Sequence, residues 1–193
     1  MKRIWLIRHG ESIANAGAAT DNHVTIPLSA TGHKQAQAIS QIIPCKPDMI
    51  ITSPFLRTQE TASYTIKRYP DVPVAVWDVQ EFTYLAPASC IGTTADDRRE
   101  RVNTYWQRLD PDYIDGQDAE SFAMLIARAR MAIERLERLE EKYIIMFTHA
   151  QFIRAMTLLK DNQTQDVEWL MSRFKYLPKY GNCEVVKWQK PEN

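Results

Sequence analysis

The chain has 193 residues with 24 Lys and Arg against 24 Asp and Glu, a length that fits one domain of the common size of about 100–200 residues with a full core, so a second full domain is not expected. Its formal net charge of zero argues against a protein that coats nucleic acid or an anionic membrane, and no segment approaches transmembrane length. The basic opening leads into an apolar run shorter than the roughly 7–15 residues of a signal peptide, and Cys45, Cys90 and Cys183 show no paired spacing, so reduced thiols and a soluble, cytoplasmic protein are expected.

In chain order, a short apolar strand is predicted at 4–7, ending on Arg8 and His9. A helix at 31–43 follows the possible cap Ser29, then a strand at 49–51, a helix at 57–68 and a strand at 74–77. Residues 82–116 are polar and turn-rich, with Pro87, Gly92, the pair Asp96-Asp97 and the cluster Arg98-Arg99-Glu100-Arg101. An amphipathic helix is predicted at 121–142, where Phe122, Leu125, Ile126, Ala129, Ile133, Leu136 and Leu139 recur at helical spacing. A strand at 143–147 and a fifth candidate at 184–188 complete the set. Alternating apolar strands and amphipathic helices predict an α/β fold, a three-layer αβα sandwich with a mostly parallel central sheet. No repeat or linker-like stretch interrupts it. The expectation is one domain over 1–193, with the 82–116 segment as an insert over the ligand-binding end that sets substrate choice.

Sheets of this type bind ligands beyond the carboxyl ends of their strands. Arg8-His9 leaves the first predicted strand, Thr52-Ser53-Pro54 the second, Glu81 the third and Thr148-His149 the fourth. Imidazole attacks phosphorus, and arginine neutralises phosphoryl oxygens with a planar fork of donors. The first exit therefore reads as a phosphate site.

Three runs carry a family resemblance: Leu6-Ile7-Arg8-His9-Gly10-Glu11-Ser12 with Asn15, then Leu28-Ser29-Ala30-Thr31-Gly32 through Ala36, then Thr52-Ser53-Pro54-Phe55-Leu56-Arg57-Thr58 through Ala62. Gln80-Glu81-Phe82 and Thr148-His149-Ala150 follow in the same order. The chain resembles the histidine phosphatases of the phosphoglycerate mutase-like superfamily along most of its length. Ala150 stands where that family usually has glycine, and Ser29 where it more often has threonine.

The resemblance implies His9 as a nucleophile that forms a phosphohistidine, with its second ring nitrogen holding a proton against a backbone carbonyl. It implies Arg8, Arg57 and His149 as the phosphoryl clamp, Arg57 lying beside a helix start whose free amides favour an anion. Glu81 is implied as the acid that protonates the leaving oxygen and later deprotonates water, in preference to Glu11 and Asp78, and its acidity should be weakened by apolar neighbours such as Phe82. Asn15, Ser12 and Ala150 are expected as substrate contacts. Each has a plainer reading: a ring-bonded histidine, surface ion-pair arginines, a solvated carboxylate, turn formers.

The four histidines His9, His23, His33 and His149 show no metal-ligand spacing, so neither a metal nor another cofactor is expected. His33 is read as a helix residue and His23 as a loop residue able to brush a substrate. Arg98, Arg99 and Arg101 read most simply as a solvated helix face, with substrate binding as the sharper option. The leading function is a metal-independent phosphomonoester phosphatase acting on a small phosphorylated metabolite. A phosphoglycerate mutase is the second reading and a non-catalytic phospholigand-binding module the third. The sequence carries no signal of oligomeric state.

Overall fold

Ile4, Trp5, Leu6 and Ile7 are buried on both faces and form the middle of β1 (Arg3–Arg8) in the computed structural model, which describes residues 2–188. Four more strands join it: β2 (Met49–Thr52), β3 (Val74–Val76), β4 (Tyr143–Thr148) and β5 (Val185–Trp188), in the order β3-β2-β4-β1-β5. All neighbours are parallel except β5, which runs antiparallel along β1 with Ile4 opposite Trp188. β4, central in the sheet, is buried at every residue, whereas edge strand β3 leaves Val74 and Val76 exposed.

The pleat sends alternate side chains to opposite faces and so builds two cores. Trp5, Ile7, Ile50, Ile145 and Phe147 pack with Ile39 and Ala62, from α1 (Ala30–Ile42) and α2 (Leu56–Arg68). Ile4, Leu6, Ile51 and Met146 pack with α4 (Phe122–Arg138), α5 (Ala150–Lys160) and α6 (Val167–Phe174). The three layers match the predicted sandwich.

The predicted strands and the helices at 31–43 and 57–68 lie within a residue of their observed bounds. The helix expected at 121–142 is shorter in the structure: α4 stops at Arg138, and Leu139 is already extended. Lys2 explains the stop, since its Nζ donates to the carbonyls of Leu136 and Leu139 at 2.5 and 2.7 Å and takes up acceptors a longer helix would have used. Helices α5 and α6 were not predicted.

The 82–116 segment holds a single 3₁₀ turn (Pro87–Cys90) and α3 (Arg99–Arg108). Tyr105 and Trp106 of α3 anchor it in an aromatic cluster with Phe82, Tyr84, Phe122 and Phe174, where Trp106 stacks on Phe174 with centroids 5.5 Å apart. Arg101 pairs with Asp115 at 2.7 Å across the segment's base. Thr20, from the loop after β1, exchanges backbone hydrogen bonds with Thr93 and Gly92, both at 2.9 Å, and joins that loop to the segment.

Candidate active site

The chain leaving β1 is pressed against the start of α1. A methyl group on Gly10 would meet the Gly32 carbonyl oxygen at 2.6 Å, and one on Gly32 would meet the Glu11 oxygen at 2.0 Å, so neither position tolerates a side chain. Ser29 caps α1 by accepting from Gly32 N–H at 3.0 Å and donates its own proton to Glu11 Oε1 at 2.5 Å. Glu11 is thereby committed to holding the cap. Gly10 N–H donates to Thr61 Oγ1 at 3.0 Å, which ties the same turn to α2.

His9 is 3% exposed, and its Nδ1 lies 2.7 Å from the Gly10 carbonyl oxygen. A carbonyl only accepts, so the proton sits on Nδ1 and Nε2 keeps its lone pair. That lone pair receives Arg57 Nε–H at 3.2 Å. Burial, and then the charge of Arg57, hold the imidazole well below its ordinary pKa. The ring is neutral, with its free nitrogen facing a guanidinium.

Arg57 is buried, anchored by Nη1 to the His23 carbonyl at 2.8 Å and poised over the Phe55 ring. Burial brings its pKa down to about 10, which leaves it charged at neutral pH. Arg8 Nη1 donates to the Tyr180 carbonyl at 2.7 Å. The Leu56 N–H at the start of α2 is already taken by Val24 O at 2.9 Å. That amide is not open to a ligand, and the cation at this helix start is the Arg57 side chain.

His149 is completely buried, its ring centroid 5.0 Å from that of His9, and its Nε2 lies 2.8 Å from Ser53 Oγ. The proton directions follow from Thr58. Its single hydroxyl proton goes to the Phe55 carbonyl at 2.7 Å, so Ser53 Oγ donates to Thr58 Oγ1 at 2.8 Å. Ser53 then accepts from Phe55 N–H and from His149, which places the His149 proton on Nε2. His149 Nδ1 is left buried and without a partner among the described residues. Burial, and then the Arg57 charge, hold this ring too well below its ordinary pKa.

Glu81 Oε1 accepts from Phe82 N–H at 3.1 Å and from Gln151 N–H, in the first turn of α5, at 3.0 Å. Burial raises the carboxyl's pKa against the opposing pull of Arg57, these amides and Arg8. With Oε1 occupied by two donors, a proton on the neutral acid belongs on Oε2.

Arg8, His9, Arg57 and Glu81 line one cavity of about 290 Å³, together with Ser12, Asn15, Thr20, His23, Tyr84 and Arg98. Asn15 Oδ1 is spent on Ser12 N–H and Asn182 Nδ2, both at 3.3 Å, while Ser12 Oγ accepts from Asn15 N–H at 3.2 Å. His149 lies behind the cavity wall against His9 and Phe55, and Ala150, which opens α5, does not line the cavity. Asp78 faces a different cavity, beside Trp77 and Arg135. His33 sits on α1 near Tyr64 and His23 lines the cavity, as their sequence readings had it.

The basic cluster divides. Arg99 forms an exposed pair with Asp96 at 2.6 Å, Arg101 braces the segment, and Arg98 reaches the cavity while bonded to Thr93 O and Oγ1 at 2.8 Å. Sequence reasoning missed Gln151, Tyr180 and Asn182, of which Gln151 and Tyr180 act through the backbone, and placed Ser53 at a strand exit without its bond to His149. Among the described residues no group of three or more His, Cys, Asp or Glu side chains is placed to hold a metal ion, and no helix is long and apolar enough to cross a membrane.

Residues 4–174 match the model of the histidine phosphatase superfamily, branch 1. The adenosylcobalamin/alpha-ribazole phosphatase of Escherichia coli K12 is 39% identical over 61 residues, 31% of this chain and 30% of that protein. A protein of Yersinia enterocolitica named as a probable phosphoglycerate mutase is 38% identical over 63 residues, 32% of this chain and 29% of its own length. The matched stretch thus spans well under half the length of these curated relatives. Among solved structures, a mycobacterial glucosyl-3-phosphoglycerate phosphatase superposes with a TM-score of 0.75 at 22% identity, covering 97% of this chain and 90% of that one, which shows a shared fold.

Proposed function

The chain belongs to the histidine phosphatase superfamily, branch 1, and on that premise we propose that it hydrolyses a small phosphomonoester through a phosphohistidine on His9, with no metal ion. The observation that carries this reading is the His9 tautomer: Nδ1–H is held by the Gly10 carbonyl at 2.7 Å, and the Nε2 lone pair faces a cavity walled by two guanidiniums and a carboxyl.

The phosphoryl group sits between Arg8 and Arg57, and Arg57 Nε transfers its hydrogen bond from His9 to a phosphoryl oxygen. His9 Nε2 then forms the N–P bond as the P–O bond to the leaving group breaks, and Glu81 Oε2 delivers its proton to the departing oxygen. The carboxylate so formed takes a proton from water, whose oxygen attacks phosphorus and breaks the N–P bond. Phosphate leaves, and His9 and Glu81 return to their starting protonation. As a monoanionic ester binds, its proton passes to His149 Nδ1, which donates it as a hydrogen bond to the phosphoryl group, stabilises the charge that develops there and returns it to the phosphate that leaves. A bound dianion also offsets the pull of Arg8 and Arg57 on Glu81, which keeps the acid protonated until it is needed.

The cavity of about 290 Å³ lies near the lower end of ligand pockets, which run to about 300–1,000 Å³. Beyond the phosphate end its walls include Ile26, Tyr84, Leu85 and Val102, with Thr20 and Arg98 as polar points. This suits a small, partly apolar leaving group, and the names of the alpha-ribazole and glucosyl-3-phosphoglycerate phosphatases point to small phosphorylated molecules too. The 82–116 segment supplies much of that wall and acts as the specificity insert of a single domain.

Purified protein should release inorganic phosphate from an aryl phosphate at mildly acidic to neutral pH, keep that activity in chelator, and lose it in His9→Ala. Turnover that requires an added metal, or that survives in His9→Ala, would overturn the mechanism. Interconversion of phosphoglycerates with little phosphate release would instead select a mutase.

A further inference from the structure

Glu81 stands on residues 78–83, a stretch without regular secondary structure that follows the three-residue edge strand β3. Such a segment has no ladder to fix it, so its place depends on where its backbone groups find partners. The carbonyls on either side of Glu81 are captured from outside the segment. Arg128 Nη1 donates to Asp78 O at 2.7 Å, and both Nη1 and Nη2 reach Gln80 O at 3.4 Å. Thr148 Oγ1 donates to Val79 O, and Glu120 N–H donates to Thr83 O at 2.8 Å.

Arg128 is itself fixed by a bidentate pair with Glu120, Nε to Oε1 at 2.6 Å and Nη2 to Oε2 at 2.8 Å, with each side chain 12% exposed. Pairs this buried often add little or nothing to stability over an apolar replacement, because desolvation offsets their attraction. What an apolar pair could not supply is a rigid fork: Nη1, which Glu120 does not use, and Nη2, which it shares, aim the edge of the guanidinium at two carbonyls of the segment that carries the carboxyl.

We propose that Arg128 and Glu120 are positioning residues for the general acid, a clamp that sets the Glu81 carboxyl at leaving-group distance without touching substrate. This rests on the reading of Glu81 as the acid. The clamp acts on proton delivery and leaves the nucleophile and the phosphoryl clamp alone, so its loss is felt most where the leaving group most needs a proton.

The test compares Arg128→Lys, Glu81→Gln and the double variant on an alkyl and an aryl phosphate. Glu81→Gln should lower kcat/KM for the alkyl ester by about 10²–10⁴ and for the aryl ester far less. Arg128→Lys keeps the charge beside Glu120 but not the fork, and should lower the alkyl ester's kcat/KM by about ten- to a hundredfold, with little change for the aryl ester or for inhibition by inorganic phosphate. Because both act on one step, the double variant should be no slower than Glu81→Gln alone. Equal losses for both esters in Arg128→Lys, or losses that multiply in the double variant, would overturn the clamp while leaving Glu81 its role. Equal losses in Glu81→Gln itself would remove the acid assignment and the clamp with it. If Arg128→Lys does not fold, Glu120→Gln, which keeps the shape and removes the charge, carries the same comparison.

Discussion

His9 and His149 lie with ring centroids 5.0 Å apart and hold their protons on opposite nitrogens. His9 carries its proton on Nδ1 against Gly10, and His149 on Nε2 against Ser53, so one ring presents a lone pair on Nε2 and the other on Nδ1. On the proposed mechanism the acid limb of kcat/KM reports protonation of His9. Burial lowers that pKa, so the nucleophile stays neutral below the ordinary histidine value of about 6.5, and the limb should fall on the acid side of it. The basic limb reports Glu81, whose pKa burial raises: activity that needs its proton persists above the ordinary carboxyl range and is lost as pH rises through the shifted value. A pH profile on an alkyl phosphate should show both limbs, and Glu81→Gln should lack the basic one; a basic limb unchanged in that variant would count against Glu81. The family resemblance singled out Arg8, His9, Arg57, Glu81 and His149, and the fold sets four of them around one cavity with His149 behind its wall. Gln151 and Tyr180 were not legible in the sequence, since an N–H and a carbonyl belong to every residue and only the fold says which are aimed at a carboxylate or a guanidinium. Ser53 was read as part of a motif, but its part in setting the His149 tautomer depends on a hydroxyl chain that sequence order does not display.

At the scale of elements, the contact between the β1 exit and the start of α1 fixes where His9 points. Gly32→Ala would force a methyl group to within 2.0 Å of the Glu11 carbonyl, and backbone cannot swing aside as a flexible side chain does. The variant should lose about 1–3 kcal/mol in a denaturant titration, as overpacked sites do, and release phosphate more slowly than its residual folded fraction explains. Wild-type stability and rate would show that the contact does not govern the site. Helices α1 and α4 were legible because each starts at a serine cap and turns apolar residues to the sheet, whereas α2 has no capping side chain and buries mainly threonines around Ala62. α5 was not legible: Phe152, Ile153, Ala155, Met156, Leu158 and Leu159 are all buried, and apolar residues on most sides of a helix blur the periodicity that marks a half-exposed one. α6 has only eight residues, too few for a period to repeat clearly.

At the scale of the molecule, the carboxyl ends of β3, β2, β4 and β1 are brought into line by the sheet order, which brings Glu81 to the same cavity as His9 although β2 and β4 separate their strands. That each exit carries a polar group was readable in sequence order; which exits neighbour each other was not, since β1 pairs with β4 and β5 from the far end of the chain. The same holds for the arginine cluster, whose neighbours in sequence part to solvent, to Asp115 and to the cavity wall once α3 and the turn before it are in place. The central claim is that a phosphoryl group passes through His9. In Glu81→Gln, an aryl phosphate can still phosphorylate the enzyme, but the water step lacks its base, so the intermediate should accumulate. The direct measurement is the mass of peptides from this variant after a denaturing, alkaline quench during turnover of an aryl phosphate. The account expects one phosphoryl group on the peptide that contains His9. A phosphoryl group on another side chain, or continued turnover with the His9 peptide unmodified throughout, would contradict it.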